Sequence, residues 1–218
     1  MTMSQSRTQK ALLMTAIELF GQRGYDGVST RMLADSAGVN VAAIKYYFGS
    51  KDELYLGAID YIVATITPRL NLVTELAGET RNIAGDDPHR QAAMLARVID
   101  AILTTFLGKP EIRAFMPLVL RELTVPGPHF NRLYEAVFRK VHTLLTELVG
   151  WVLGRDPHEP STVVRTHAVV GQMVIFHVGR TILQRRLEVD DYSEEELRAI
   201  HEETTESVLL SLGLPHVR

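Results

Sequence analysis

Ala42, Ala43, Lys45, Tyr46 and Tyr47 crowd into one short stretch of the segment TRMLADSAGVNVAAIKYYFGSKDEL, residues 30–54. Ile44 and Phe48 lie one helical turn apart and read as inward anchors. Counting about 100° per residue from them points Ala42, Ala43 and Tyr46 outward, with Lys45 and Tyr47 at the margins. Two alanines beside adjacent tyrosines on an exposed face suit one kind of chemistry. Small side chains let a helix sit deep in a major groove, while tyrosine hydroxyls and a lysine reach phosphates or base edges.

Catalytic constellations are missing. No two glycines are separated by a single residue, so the dinucleotide fingerprint is absent, and neither a P-loop nor GxSxG occurs. His201-Glu202 begins an HExxH pattern, but Thr205 stands where the second zinc ligand belongs. None of the eight histidines has a glutamate three residues before it, which removes the di-iron helix motif. With no cysteine there is no thiolate metal site, cysteine nucleophile or disulfide framework. The expectation is a protein that is not an enzyme and needs neither cofactor nor metal.

The elements that must position the outward face are helical. Apolar residues recur at helical spacing almost throughout the 218 residues, with no alternating strand pattern, so the chain reads as all-α with about nine helices. A capping box at Ser6 and Gln9 precedes a first helix with the stripe Leu13, Ala16, Ile17 and Phe20. Ser29 or Thr30 caps a second with Leu33, Ala34 and Ala37 inward, and Gly38 suits a left-handed C-cap before buried Val39. Asn40 caps a third, residues 41–48, and a Ser50–Glu53 box opens a fourth that Pro68 kinks or ends. Three short helices with a glycine turn between the second and third describe a helix-turn-helix.

The later helices are punctuated by Pro88, Gly108, Pro110, VPGPH (125–129) and GRDPHEP (154–160). One carries Leu95, Val98, Ile99, Ile102 and Phe106, a shorter one surrounds Pro117, and a long one carries Leu133, Val137, Leu144, Leu148 and Val152. Ser161 opens a helix over Thr162–Leu187 that is apolar on most sides and must be buried in the core or against a partner. A final helix starts with the Ser193–Glu196 box and carries Leu197, Ile200, Val208 and Leu212. Residues 1–51 hold six basic against three acidic side chains, a balance of +3 that leaves −6 for the rest of a chain whose net is −3. A basic head on an acidic body suits local phosphate contact. The polar N-terminus and the absence of a spanning stretch of about 20 apolar residues imply a cytoplasmic protein with no membrane segment.

From Gly24 to Leu54 the sequence resembles the DNA-binding head of the TetR family of bacterial regulators. The residues that carry the likeness are Thr30, Ala37-Gly38-Val39, the run Ile44-Lys45-Tyr46-Tyr47-Phe48, and Lys51 ahead of Leu54. Lys45 stands where an aromatic residue is often found and Tyr47 where a histidine is common. The resemblance implies that Thr30 and Lys51 hold phosphates and that Arg31, Asn40, Val41, Ala42, Ala43, Lys45 and Tyr46 face bases or adjacent phosphates. Arg31 is the candidate reader of a guanine edge, a contact worth about 1–3 kcal/mol of discrimination. A helix-turn-helix used only for protein contact would show acidic or bulky apolar residues on that face instead.

LVLRELTVPGP (118–128) and VGQMVIFHVGR (170–180) are similar to a CecR-like subgroup. The resemblance divides the chain into a helix-turn-helix domain, 1–54, and a helical-bundle effector-binding and dimerisation domain, 55–218. It implies a homodimer through the last two long helices, about Thr162–Leu187 and Glu194–Leu212, and Gly171 and Gly179 would permit close packing there. The expected function is a repressor on a palindromic operator in double-stranded DNA, released by a small-molecule effector. Phe106, Phe115, Leu118, Glu122, His142, Trp151 and His177 are the candidate effector contacts, with Arg121 beside Glu122.

Overall fold

The computed structural model describes residues 3–217, including the side chains of 7–79 and 81–217. Among these residues there is no strand. By contacts the chain divides into one unit of residues 1–67 and 110–137 and a second of 68–109 and 138–218.

In the first unit α1 (Met3–Arg23) packs against α2 (Thr30–Ala37), which is followed by α3 (Ala42–Phe48) and the first half of α4 (Lys51–Ala84). α1 also packs along α6 (Pro110–Thr124), which is followed by a single turn, α7 (Phe130–Leu133). Leu12, Ala16, Ile17 and Phe20 form the buried stripe of α1, with Leu13 only half-buried. A side chain at Gly21 would begin 2.8 Å from the Leu118 backbone nitrogen, so only glycine lets α1 and α6 approach this closely. Ser6 lies inside α1 and so does not cap it, and its side chain is outside the described set. Pro68 does not end α4, which runs through it to Ala84. The missing proline N–H removes one rung of the helical ladder, and the division between the two units falls at this residue.

The second unit holds the rest of α4, α5 (Pro88–Phe106), α8 (Arg139–Leu153), α9 (Pro160–Val178), α10 (Arg180–Leu187) and α11 (Glu194–Ser211). Its core includes Leu95, Val98, Ile99, Leu145, Leu148, Val149, Val169, Met173 and Val208. Asp87 caps α5, accepting from the His89 and Arg90 N–H groups at 2.9 and 3.4 Å ahead of Pro88 at the first position. At α11 the reciprocal Ser193–Glu196 box is formed, as the sequence implied. The hydroxyl and backbone bonds from Ser193 hold the Glu196 carboxyl below its ordinary pKa.

Three sequence expectations change here. The helix carrying Leu133 and Val137 is interrupted by a π-helical turn, Tyr134–Phe138. The wider turn rotates the next segment, so α8 buries Leu145, Leu148 and Val149 while Leu144 and Val152 are half-buried. α9 opens at Pro160, one residue before Ser161, with no side-chain cap bond. The single helix expected to Leu187 breaks at Gly179, which ends α9 and starts α10. These breaks, with the one-turn α7, give eleven α-helical segments among the described residues in place of nine. Val164, Val178 and Ile182 are 64–72% exposed in the single chain, and Ile175 and Leu210 are exposed beside them. A side chain at Gly171 would also meet open space.

Candidate nucleic-acid interface

The outward face of α3 is built by local chemistry on either side of it. The Ser29 hydroxyl accepts from the Met32 N–H at 3.2 Å and starts α2, whose Leu33 and Ala34 are buried. Gly38 has φ 67° and ψ 33°, the left-handed conformation that a side chain disfavours. In that conformation its N–H bonds the Asp35 carbonyl at 3.2 Å and the Val39 N–H bonds the Ala34 carbonyl at 3.0 Å, reversing the chain into α3. Asn40 Oδ1 accepts from the Ala42 N–H at 2.8 Å, whereas Val41, which immediately precedes α3, makes no side-chain cap bond. The Ser50 hydroxyl accepts from the Glu53 N–H at 3.0 Å and opens α4.

Ile44 is buried, as an anchor must be, whereas Phe48, Val39 and Ala37 are half-buried. Residues near the surface of so small a motif are covered on one side only. Thr30, Arg31, Asn40, Val41, Ala42, Lys45 and Tyr46 are all exposed, with Tyr46 at 69%, and Ala43, Tyr47 and Lys51 are half-buried. The two tyrosine rings meet edge-to-face at 4.8 Å. Arg31 keeps 88% of its side chain in solvent, with Nε 3.8 Å from Asp35 one turn on. An exposed pair of this kind contributes little, so the guanidinium can exchange Asp35 for another acceptor. The spacing of Asp35 from Arg31 was legible in the sequence. Another neighbour was not: Lys51 Nζ lies 4.1 Å from the centroid of the Tyr25 ring, a residue far from it in the chain.

The effector candidates fall in different units. In the first, Phe115 and Leu118 are fully buried, and Glu122 is buried with both oxygens engaged. The Tyr55 hydroxyl donates to Oε1 and the Gly127 N–H donates to Oε2 at 3.1 Å. Desolvation, then the Glu122 bond, pushes the Tyr55 hydroxyl well above its ordinary pKa. Arg23, Tyr25, Tyr55, Arg121 and Glu122 line a cavity of about 360 Å³ in this unit. In the second unit Phe106, His142, Trp151 and His177 are half-buried. Burial, then the neighbouring His167 ring with its centroid 5.7 Å away, lowers the His142 pKa. The Arg81 guanidinium lies 5.6 Å from the Trp151 ring centroid.

His201, of the broken HExxH pattern, pairs through Nδ1 with Asp100 at 2.6 Å and so joins α11 to α5. Among the described residues no group of three or more acidic or histidine side chains could hold a metal. No single helix among them is long and apolar enough to cross a membrane.

Comparison with known proteins agrees with this geometry. Residues 12–58 match the family described as bacterial regulatory proteins, tetR family, and residues 92–213 match the C-terminal domain of the HTH-type transcriptional dual regulator CecR. The chain is 29% identical to the HTH-type transcriptional dual regulator CecR of Shigella flexneri over 207 residues, covering 94% of this chain and 91% of that one. In fold it is similar to the hemolysin II transcriptional regulator HlyIIR, with a TM-score of 0.57 at 21% identity over 92% of this chain and 98% of that one. The TetR family transcriptional regulator PfmR of Thermus thermophilus gives 0.54 at 19% identity over 95% and 96%. With its exposed α3 face and both halves matched, the chain belongs to the TetR family of DNA-binding transcriptional regulators and carries a CecR-type C-terminal domain.

Proposed function

We propose that the protein works in the cytoplasm as a homodimeric repressor, whose two heads occupy successive major grooves of a palindromic operator about 34–36 Å apart, or a multiple of that distance. The observation that carries this reading is the α3 face, where exposed Ala42, Lys45 and Tyr46 stand clear of the buried Ile44. Residues 1–54 serve as the DNA-binding domain and 55–218 as the effector-binding and dimerisation domain. Thr30 and Lys51 hold phosphates, while Arg31, Asn40, Val41, Ala42, Ala43, Lys45, Tyr46 and Tyr47 face bases or neighbouring phosphates. The apolar residues left exposed on α9, α10 and α11 support a dimer through those helices.

A small molecule bound by the body releases the operator by favouring one head spacing over another, since equal affinity for both would shift nothing. Phe106, His142, Trp151 and His177, half-buried in one unit, are the candidates with surface to offer it. Phe115, Leu118 and Glu122 would have to move first. The likeness to a dual regulator of Shigella favours a second reading in which the same occupancy activates other promoters.

Selection from random duplex DNA at fixed, near-physiological salt tests the proposal. A two-fold symmetric motif is expected, with Arg31→Ala relaxing one position in each half-site. A folded protein that recovers no motif would overturn it and favour a helix-turn-helix used for protein contact.

A further inference from the structure

Lys51 is half-buried at the start of α4, and its ammonium is seated over the Tyr25 ring at 4.1 Å. A cation at that distance is attracted by the negative face of the ring, while its N–H donors remain available to an anion. Tyr25 is itself held from several sides. Its ring stacks on Phe20 at 6.0 Å between centroids and meets Tyr55 nearly edge-on at 5.1 Å, and Phe20 and Tyr55 meet each other at 4.7 Å. Both of those partners are buried, and Tyr55 is tethered to the buried Glu122 by its hydroxyl. Asp52, the neighbour of Lys51, interacts with the Tyr25 hydroxyl and lies 3.1 Å from His129.

A lysine loose in solvent gives up most of its rotamer freedom when it grips a phosphate. One already seated on a fixed ring gives up less. We propose that Tyr25 is a positioning residue for DNA contact, its ring face holding the Lys51 ammonium at the start of α4 in the arrangement that meets a phosphate. This rests on the phosphate role proposed above for Lys51.

The test measures binding of the full chain to its selected operator between about 50 and 200 mM salt. The proteins are the wild type, Tyr25→Phe, Tyr25→Leu, Lys51→Ala and the Tyr25→Leu/Lys51→Ala double variant. Tyr25→Phe keeps the ring face and should bind like the wild type. Tyr25→Leu should weaken binding about two- to fivefold for each head of the dimer, the fold-change that an exposed cation–ring contact of about 0.5–1 kcal/mol represents. It should also lower the log–log salt slope toward the loss of about 1.8 expected of Lys51→Ala, about 0.9 for the phosphate given up by each head.

In the Lys51→Ala background Tyr25→Leu should add nothing. An equal further loss there, or an unchanged salt slope in Tyr25→Leu, would make Tyr25 a packing residue and overturn the inference alone. A Lys51→Ala protein with wild-type affinity and slope would instead overturn the phosphate role of Lys51, and this inference with it. Should Tyr25→Leu fail to fold, the Lys51 ε-methylene proton resonance of the wild type decides. A ring-current shift away from the other lysines supports the inference, and coincidence with them overturns it.

Discussion

Glu122 is a carboxylate at 1% exposure whose two oxygens are answered by the Tyr55 hydroxyl and the Gly127 N–H. In the sequence it stands beside Arg121 and reads as an effector contact or, at least as well, as part of a structural ion pair or a solvated face. The structure gives it a partner 67 residues away instead. Tyr55→Phe removes that donor and leaves a buried oxygen without its bond, at a cost of about 1–3 kcal/mol. Urea denaturation should show the midpoint falling with little change in slope; an unchanged midpoint would mean that the bond adds nothing net. The face of α3 was far more legible, because buried Ile44 fixes its orientation and helical geometry then exposes Ala42 and Tyr46, although Ala43, expected beside them, is half-buried.

The helix-turn-helix shows why some elements can be read from sequence and others cannot. Ser29, Gly38, Asn40 and Ser50 each act on backbone groups within four residues, so residue type and spacing contain the whole cause. Gly38→Ala should cost about 1–2 kcal/mol through its left-handed φ, since a Cβ there would meet no neighbouring atom. Thermal unfolding of the variant checks this.

By contrast, the π turn at Tyr134–Phe138 and the break at Gly179 are choices between helical alternatives that tertiary packing settles. Across the packed pair α8 and α9, His142 beside the His167 ring gives a pH dependence. The folded His142 pKa lies below the ordinary 6.5, so between the two values the unfolded chain binds more protons. Stability therefore falls as the pH is lowered through 6.5 and below, and His142→Gln should flatten that fall in denaturation midpoints measured between pH 7 and 5.

At the scale of the molecule, a single chain leaves Val164, Ile175, Val178, Ile182 and Leu210 in water, a set that the proposed dimer would cover. Light scattering at micromolar concentration should give twice the chain mass, and Val178→Glu should shift it toward the monomer by burying an unpaired charge. A monomeric wild type would remove the dimer from the proposal. Trp151 is the only tryptophan, so a change in its emission on titrating a candidate effector, absent in a variant that still folds but no longer responds, would locate binding in the body.

The sequence by itself determined the helical class, the caps at Ser29 and Ser193, the glycine turn and the exposure of Ala42 and Tyr46 on α3. Each depends on neighbours within a turn or two, where backbone geometry leaves few options. Only the tertiary structure decided that Lys51 sits on Tyr25, that Tyr55 reaches Glu122 and that α1 closes on α6 at Gly21. Those contacts join residues far apart in the chain, and helical period says which face is buried without saying what is buried against it.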